Sequence, residues 1–478
     1  MSGQVAGTEQ VISERLMAKA RLLLEGRRPA EALPLLERLH HLDHVPAPAR
    51  EARAIALLAM GRFGDAADAA GEALACLPGS AALLQLRGRA RLAMGHDIEA
   101  LDDAAAAVMA DSGSNDAKGL MAEALMKLGK ADEAIFLAWR VAEALPQDMH
   151  AQLRLAQAFI MAGRHAAADE LLAALEARAP QLALPIALRA QNKLLMHDAA
   201  EAERMTRAAL DRGMVEVSLH SVLAHALVAQ QRLHEAGAHF RAASRLAPHD
   251  AYLAHLADAS AGGTPERATD AYVSAVFDGY AGRFEAELLG MGYRVPGLIR
   301  LAVDRWLAEA GQATIPGPVL DLGCGTGLVG VALLGLTGAG LCGVDLSRNM
   351  IAQTLAKGIY TELHQAEFSA ALAAIQTRYA LVAAADLFCY FGDLEDALLA
   401  AAARLADAGL MMFSVELSAE PGGWQLGESG RYRHSLAYVT SALQQSGLTA
   451  LSIAPETLRQ NGGEPVEGLF VIARRQVC

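Results

Sequence analysis

The sequence has few of the features that mark secreted, membrane-spanning or zinc-binding proteins. Its five cysteines are an odd number, and no pair has the C-x-x-C spacing typical of zinc sites. Apolar runs such as ALLAAAARLADAGLMMFSV are interrupted by Arg404 and Asp407 and fall short of a membrane span. The beginning, MSGQVAGTEQ, lacks the basic segment and apolar core of a signal peptide. We therefore expect a soluble cytoplasmic protein with no membrane partner and no metal.

Positive charge is also scarce. The formal net charge is −13, because 54 acidic residues outnumber 41 basic ones. Affinity for nucleic acids depends on clustered lysine and arginine, so we expect no nucleic-acid partner. The HHLDH run at residues 40–44 offers ligand-type side chains, but nothing nearby completes a coordination set. With 478 residues, 53% of them hydrophobic, the chain is long enough for two to four domains with cores of their own.

The first half contains a repeat of 34 residues, visible in segments such as MGRFGDA, MGHDIEA and LGKADEA. At this interval the turn position is occupied by Gly61, Gly95, Gly129, Gly163, His197 and Gln231. Alanine occupies the position five residues after each of these turns, and also the same position one interval earlier, as Ala32, Ala66, Ala100, Ala134, Ala168, Ala202 and Ala236. The position seven residues before each turn is occupied by Ala54, Gly88, Ala122, Ala156, Ala190 and Ala224. Such turns reverse the chain between two antiparallel helices, and the small residues allow the helices to approach closely.

This pattern resembles the tetratricopeptide repeat, over about seven units in residues 13–250. The bulky aromatic residue that the family has near the start of each repeat is mostly missing. The resemblance implies an α-helical solenoid whose concave face binds a peptide or protein. Alternatively, the repeats only position or dimerise the rest of the chain. We expect residues 251–270, which contain a Gly-Gly-Thr-Pro break, to form a capping helix and a linker.

Residues 271–478 alternate between strand-like and helical stretches. Strand-like runs occur at GPVLDL, GLCGVDL, YALVAAAD, GLMMFSVE, LTALSIAP and GLFVIARR. This alternation predicts an α/β domain with a mostly parallel sheet. The last two runs are joined by PETLRQNGGEPVE, which has no room for a crossover helix, so an antiparallel pair is expected to close the sheet.

The stretch VLDLGCGTGLVG, residues 319–330, predicts a strand, a glycine-rich turn and a helix. Its glycines bring bare backbone close to a ligand, but Leu328 stands where a dinucleotide-binding turn has its third glycine. Asp321 precedes the turn and would repel a pyrophosphate, whereas it would attract an ammonium or sulfonium group. We therefore expect a positively charged ligand with an amino acid moiety rather than a dinucleotide.

Three further acidic residues follow predicted strands. Asp345 ends the second strand, where a carboxylate can accept hydrogen bonds from both hydroxyls of a ribose. Glu367, beside Phe368, is placed for polar contact with an adenine amine. Asp386 ends the fourth strand, on the side of such a sheet that binds ligands.

Together these residues resemble the class I methyltransferases that use S-adenosyl-L-methionine, over about residues 272–475. The resemblance implies a Rossmann-like domain with a mostly parallel seven-stranded sheet whose last strand is antiparallel. It also implies that Asp321 serves the amino end of the methionine moiety, Asp345 the ribose and Glu367 the adenine. The full set of expected cofactor-binding residues is Tyr280, Phe284, Asp321, Gly323, Cys324, Gly325, Gly327, Asp345, Leu346, Met350, Glu367, Phe368 and Asp386.

The tracts VFDGYAGRFE, YFGDL, GRYRHS and NGGEPVEG resemble a bacterial group of predicted methyltransferases that carry tetratricopeptide repeats. Within that group, residues 277–284 resemble a lid over the cofactor, with Tyr280 and Phe284 facing inward. Alternatively, these aromatic residues only pack between domains.

The tract GRYRHS supplies the expected catalytic residues Arg431, Tyr432 and His434, in a loop that overhangs the transferred methyl group in this fold. His434 is predicted as a general base near neutral pH, or alternatively as a residue that only hydrogen-bonds the loop. Arg431 is predicted to bind a substrate carboxylate, or alternatively to pair with Glu416 or Glu428.

The leading hypothesis is therefore an S-adenosylmethionine-dependent methyltransferase whose repeats recruit a peptide or protein. Two alternatives stay open. The chain could be an interaction scaffold with a regulatory cofactor pocket, or an enzyme acting on a small metabolite with repeats used for assembly. The sequence leaves the oligomeric state and the methyl acceptor undetermined.

Overall fold

The computed structural model describes residues 2–40, 47–260, 265–278, 281, 284–427, 429–461 and 463–475. The chain divides into two compact units, Met1–Leu175 and Glu176–Cys478. This division lies inside the predicted repeat array rather than at its end. Within the described ranges, no helix is both long and apolar enough to cross a membrane.

Paired helices make up the chain as far as residue 260. In this described part the helices are α1 (Ser2–Glu25), α2 (Pro29–His40), α3 (Ala47–Ala59), α4 (Phe63–Cys76), α5 (Ala81–Ala93), α6 (Asp97–Ala110), α7 (Asn115–Lys127), α8 (Ala131–Ala144), α9 (Met149–Met161), α10 (His165–Arg178), α11 (Ala183–Leu195), α12 (Ala199–Asp211), α13 (Val217–Ala229), α14 (Leu233–Leu246) and α15 (Ala251–Ser260). Every odd-numbered helix from α3 to α15 begins 34 residues after the previous one, as the repeat predicts.

The turn residues adopt the conformation that their position requires. Gly61, Gly95, Gly129 and Gly163 have φ between 68° and 75°, and His197 and Gln231 have φ of 62°. This left-handed conformation ends a helix, and glycine adopts it without a steric cost. The alanine column after the turns is at most 1% exposed. A side chain at Gly88 would place its Cβ 2.9 Å from Leu120 Cδ2, so a small residue is needed there.

The last helix pairs belong to the same compact unit as the sheet. Helix α15 packs on α13 and α14 through Leu253 and Leu256. His255 of the same helix is buried, and its Nε2 lies 3.0 Å from the carbonyl oxygen of Gly430. Its ring lies 4.0 Å from that of Tyr272. The capping helix is therefore also in contact with the segment that precedes a strand of the sheet.

Helices and strands alternate after residue 265. The helices described there are α16 (Asp270–Asp278), α17 (Phe284–Gly290), α18 (Val295–Ala310), α19 (Leu328–Ala332), α20 (Arg348–Lys357), α21 (Phe368–Ala374), α22 (Glu395–Ala402) and α23 (Leu436–Gln445). The strands described there are β1 (Val319–Leu322), β2 (Leu341–Asp345), β3 (Glu362–Gln365), β4 (Tyr379–Ala384), β5 (Leu405–Leu417), β6 (Trp424–Leu426), β7 (Tyr432–His434), β8 (Leu448–Asn461) and β9 (Glu464–Arg475).

The sheet is mostly parallel, as predicted. Strands β3, β2, β1, β4 and β5 are parallel neighbours in that order. Strand β9 is antiparallel to β5, and β8 is antiparallel to β9, so the predicted closing pair is confirmed. A short β6–β7 hairpin, which the sequence analysis did not predict, extends the end of β5 through the pairing of Glu416 with Arg433.

Apolar side chains cover both faces of the sheet. Leu320 and Val344 face a core that includes residues of α21, α22 and α23. Val319 and Leu341 face a second core that includes residues of α18. A parallel sheet covered on both faces requires near-continuous apolar strands, which is the pattern that the sequence shows. In such a sheet the carboxyl ends of the strands meet at one edge, where ligands usually bind.

Candidate functional site

A cavity of about 360 Å³ lies at the carboxyl ends of β1, β2 and β4. Apolar and aromatic side chains make up most of its wall. The charged residues of the wall are Arg267, Asp270, Asp345, Glu367, Asp386, Arg431 and Arg459. An apolar pocket with a few converging polar groups is the usual form of a small-molecule site.

The glycine-rich turn after β1 forms part of the wall through Gly323, Cys324 and Gly325. Gly325 has a φ of 53°, and its N–H donates to Asp345 Oδ2 at 2.8 Å. A Cβ at Gly323 would lie 3.0 Å from Leu387 Cδ1. The turn therefore has left-handed backbone at Gly325, and at Gly323 it packs too closely on Leu387 for a larger residue. Gly327 begins helix α19 behind these residues and is not part of the wall.

Asp345 ends β2 and connects the turn to the next helix. Its Oδ1 accepts a hydrogen bond from the Ser347 N–H at 2.8 Å, while Oδ2 accepts one from Gly325. Burial raises the pKa of this carboxyl to about 6. Each oxygen of a carboxylate has more than one lone pair, so Asp345 retains acceptor capacity toward the cavity. Leu346 lies beside it in the wall.

Asp321 and Met350 lie behind the wall rather than in it. The hydroxyl of Tyr360 donates to Asp321 Oδ2 at 2.6 Å, while Oδ1 is buried with no hydrogen-bond partner among the described residues. Burial raises the pKa of Asp321 to about 7. Met350 is fully buried in helix α20. Their side chains face the protein interior, and their expected contact with a ligand stays a prediction.

Glu367 and Phe368 both lie in the wall, at the start of helix α21. Glu367 Oε2 accepts from the Ala370 N–H at 3.0 Å, and Oε1 accepts from Arg267 Nη1 at 2.8 Å. Burial raises the pKa of Glu367, but the helix N–H groups and Arg267 outweigh it and hold the pKa below its ordinary value. Glu367 is thus held ionised, and its partner Arg267 was not predicted from the sequence.

Two of the three aromatic residues considered for a lid lie in the wall. Phe277 and Phe284 pack edge to face with ring centroids 6.1 Å apart, and Phe277 packs in the same way on Tyr390 at 5.4 Å. Tyr280 lies outside the described residues. The helix that begins at Phe284 is bound to α20 by an ion pair of 2.5 Å between Glu285 and Lys357.

A network of four charged residues lies opposite the glycine turn. Arg431 donates from Nη2 to Asp386 at 2.5 Å and from Nε to Glu416 at 2.6 Å. Arg459 donates to Glu416 at 2.5 Å and to Asp386 at 3.3 Å. Burial raises the pKa values of Asp386 and Glu416, but the two arginines outweigh it and hold both pKa values below their ordinary range.

Backbone strain and an aromatic contact also mark this network. Asp386 has a φ of 58°, an unusual value for a residue with a side chain and one that recurs at functional sites. Arg431 Nη1 donates to the Tyr390 hydroxyl at 3.0 Å, so each nitrogen of its guanidinium has a partner. The alternative that pairs Arg431 with Glu416 is therefore what the geometry shows. Arg459 was missed because the sequence analysis took its segment to be a connection between strands.

The structure contradicts the assignment of His434 as a general base over the cavity. His434 is fully buried in β7 and is not part of the wall. Its Nε2 lies 2.9 Å from the Phe391 carbonyl oxygen, so this nitrogen carries the proton and donates it. Burial lowers the pKa of His434 to about 4. Tyr432 is also buried outside the wall, and its hydroxyl donates to the carbonyl of Pro265 at 2.9 Å. Pairing of β7 with β5 turns both side chains inward.

One protein-family model matches the part of the chain that holds most of this site. Residues 293–452 match the family model described as a methyltransferase domain, and this segment contains the glycine turn, Asp345 and Arg431. No curated protein was found to match the chain.

Solved structures of two kinds are similar to parts of this chain. A tetratricopeptide repeat protein from Parabacteroides merdae is 15% identical, with 52% of this chain and 99% of that chain covered and a TM-score of 0.47. Magnesium protoporphyrin IX methyltransferase from Synechocystis, with bound SAH, is 18% identical, with 44% and 100% covered and a TM-score of 0.33. An S-adenosylmethionine-dependent methyltransferase from Mesorhizobium loti is 20% identical, with 35% and 95% covered and a TM-score of 0.28.

Proposed function

We propose that this protein is an S-adenosylmethionine-dependent methyltransferase whose helical repeats recruit a peptide or protein. The observation that carries the proposal is the cavity built by the glycine turn and Asp345, within the segment that matches the methyltransferase family model. The cavity combines a half-buried acceptor for hydroxyl groups, Asp345, with apolar side chains in the rest of the wall. These are the groups that an adenosine requires.

The residues of the wall fit this cofactor in their chemistry. Asp345 has acceptor capacity for ribose hydroxyls, and Leu346 and Phe368 offer apolar surface to a base. Phe277 and Phe284 add aromatic surface to the wall. When bound, S-adenosylmethionine supplies a methyl group on a sulfonium for in-line displacement.

Positioning, rather than a histidine base, is what this chain offers to the reaction. Methyl transfer depends chiefly on the proximity and alignment of the acceptor. Tyr390 lies in the wall beside Arg431, and its hydroxyl accepts a hydrogen bond from that arginine. Burial raises the pKa of Tyr390, so its oxygen keeps a proton that it can donate to a bound acceptor. The charged network holds Arg431, and thereby Tyr390, in a fixed position.

A polar groove in the N-terminal unit supports recruitment by the repeats. Helices α5, α7 and α9, the first helices of three successive pairs, line it with the charged or polar residues Arg89, Asn115, Asp116, Glu123, Asp148, His150 and Arg154. Residues of both charge signs along successive repeats are suited to an extended polar peptide. Arg89 is exposed in this groove, so it offers its guanidinium to a partner.

Calorimetric titration of the full chain tests cofactor binding. We expect a dissociation constant near the micromolar range, about −8 kcal/mol. Asp345→Asn should weaken binding by about 1.5–3 kcal/mol, because it removes charge-assisted hydrogen bonds. Asp304→Asn, at an exposed ion pair on α18, is the matched control and should leave the affinity unchanged. Unchanged affinity in Asp345→Asn would contradict the ribose assignment.

Transfer of a labelled methyl group to proteins of a cell extract tests recruitment. Arg89→Glu should reduce labelling of a protein acceptor while the affinity for S-adenosylmethionine stays the same. Lys130→Glu, at an exposed position in a turn between repeats, serves as the control for charge reversal. Labelling of small molecules alone, with no effect of Arg89→Glu, would favour a metabolite acceptor. Cofactor binding with no transfer to any acceptor would favour a scaffold.

A further inference from the structure

A second group of chemically reactive side chains lies on the sheet away from the cavity. Cys342, Glu362 and His364 place their sulfur, oxygen and nitrogen ligand atoms within 4.8 Å of one another. None of the three belongs to the cavity wall. Cys342 precedes the wall residue Asp345 by three positions along β2, which corresponds to about 10 Å of extended strand.

The register of two strands brings these residues together. Cys342 of β2 is paired with Glu362 of β3, and His364 follows two residues later on β3. Side chains two residues apart on a strand point to the same face, so Glu362 and His364 both lie beside the cysteine. The motif therefore consists of a Glu-x-His pair on one strand and a cysteine on its neighbour. Searches for C-x-x-C spacing cannot detect it.

The polar atoms of this group are incompletely satisfied. His364 Nε2 is buried and has no hydrogen-bond partner among the described residues, although Glu362 Oε1 lies 2.9 Å away. The nitrogen and the carboxylate oxygen are therefore in contact without an aligned hydrogen bond, so both atoms can still bind another partner. The Cys342 side chain is 4% exposed, so the thiol adjoins the group from the sheet interior.

We propose that Cys342, Glu362 and His364 bind a divalent cation of the zinc type. Thiolate, imidazole and carboxylate are the three side-chain ligands that zinc takes in proteins, at about 2.0–2.3 Å. Small side-chain rotations suffice to bring atoms within 4.8 Å of one another onto a common ion. Three protein ligands leave the fourth tetrahedral position to water. Binding releases the thiol proton to solvent and leaves a metal–thiolate bond.

Cys342 belongs to the same buried core as Tyr379 and Val344, so packing restricts the position of the ligand sulfur. The site would also stabilise the sheet, because β3 is an edge strand that pairs with β2. A cation bound by residues of both strands would hold β3 to β2. Charged side chains on an edge strand also discourage pairing with other chains, a role that requires neither the cysteine nor a metal.

Cobalt titration of the full, tag-free and reduced chain tests the site. We expect one equivalent of Co²⁺ to bind with a thiolate-to-cobalt charge-transfer band, and Zn²⁺ to displace it. Cys342→Ser should remove the band, and His364→Ala should weaken binding by about 10-fold or more. The exposed residues Cys76 and His150 supply the controls, since Cys76→Ser and His150→Ala should leave the titration unchanged.

The variants separate a specific site from adventitious binding. The His364 side chain is about one-third exposed, at 34%, so His364→Ala tests the site even if Cys342→Ser fails to fold. Zn²⁺ should also raise the melting temperature of the chain, but not that of His364→Ala. The proposal is overturned if no thiolate band forms, or if the band and affinity persist in His364→Ala. The affinity for S-adenosylmethionine is a separate readout that these outcomes leave unaffected.

Discussion

Replacing Arg431 by alanine tests whether the charged network at the cavity holds the fold. The substitution removes one of the two arginines that pair with both Asp386 and Glu416, whose side chains are 19% and 3% exposed. Arg459 then remains as the buried cation that contacts both carboxylates. A buried charge that loses its partner is not compensated by water, so the folded state is destabilised.

The expected cost follows from the burial of the network. Breaking a buried ion pair by removal of one partner costs about 3–5 kcal/mol. Arg433 provides a matched control two residues away, because it faces the same Glu416 at 3.8 Å but is 49% exposed. Exposed pairs contribute about 0–1 kcal/mol, so Arg433→Ala should cost far less than Arg431→Ala.

Urea unfolding followed by tryptophan fluorescence measures this difference. Trp306 and Trp424 lie in the same compact unit as Arg431, so their emission reports its unfolding. Adding Glu416→Gln to Arg431→Ala should restore part of the lost stability, because it removes one of the two carboxylates that would otherwise share Arg459. Equal costs for Arg431→Ala and Arg433→Ala would refute the reasoning.

Four further predictions follow from burial and position. His434→Ala should lower the free energy of unfolding by about 1–3 kcal/mol and leave cofactor affinity unchanged, since His434 is buried outside the wall. A large loss of cofactor affinity in calorimetry, with the fold intact, would contradict this. Affinity for S-adenosylmethionine should fall as the pH drops below about 6, where Asp345 gains a proton and loses acceptor capacity, and a flat pH profile would count against it. Burial raises the pKa of Asp321 from its ordinary value of 3.8 to about 7. Between these two pH values the folded state binds more protons than the unfolded state, so the contribution of Asp321 to the free energy of unfolding falls as the pH rises. Asp321→Asn should therefore unfold at a higher urea concentration than the parent at pH 8, but not at pH 4. A fragment of residues 176–478 should fold and bind cofactor, whereas a fragment of residues 264–478 should be unstable because it lacks the contacts of His255. Equal melting temperatures of the two fragments would contradict this.

The repeats and the parallel sheet were predictable because their signals are local in the sequence. The left-handed turns at 34-residue intervals depend on residues within a few positions of each other, so His197 and Gln231 could be aligned with the turn glycines. The wall residues Asp345 and Glu367 were predictable for a similar reason, because each directly follows a strand. The carboxyl ends of parallel strands meet at one edge whatever the remaining fold.

What the sequence could not reveal depends on pairings between distant segments. His434 lies three residues after the wall residue Arg431. The pairing of β7 with β5 turns His434 into the protein interior, whereas Arg431 stays at the cavity. Arg459 reaches the site because β8 extends well beyond its apolar part and pairs with β9 through Glu464. Polar stretches of this kind look like loops until their partner strand is known.

The position of the last repeat bears on how the repeats and the cavity can act together. Tyr252 of α15 lies in the cavity wall and stacks on Tyr272, with ring centroids 5.9 Å apart. The hydroxyl of Tyr252 is hydrogen-bonded to His225 Nε2 of α13 at 2.9 Å. Residues of the final helix pair and its cap therefore form part of the same polar and aromatic packing as the site. A partner that shifts α13 relative to α15 would move Tyr252, and with it one side of the cavity. Within residues 176–478, a cut in the connecting segment would therefore remove a side chain of the cavity wall, because α15 contributes Tyr252 to it.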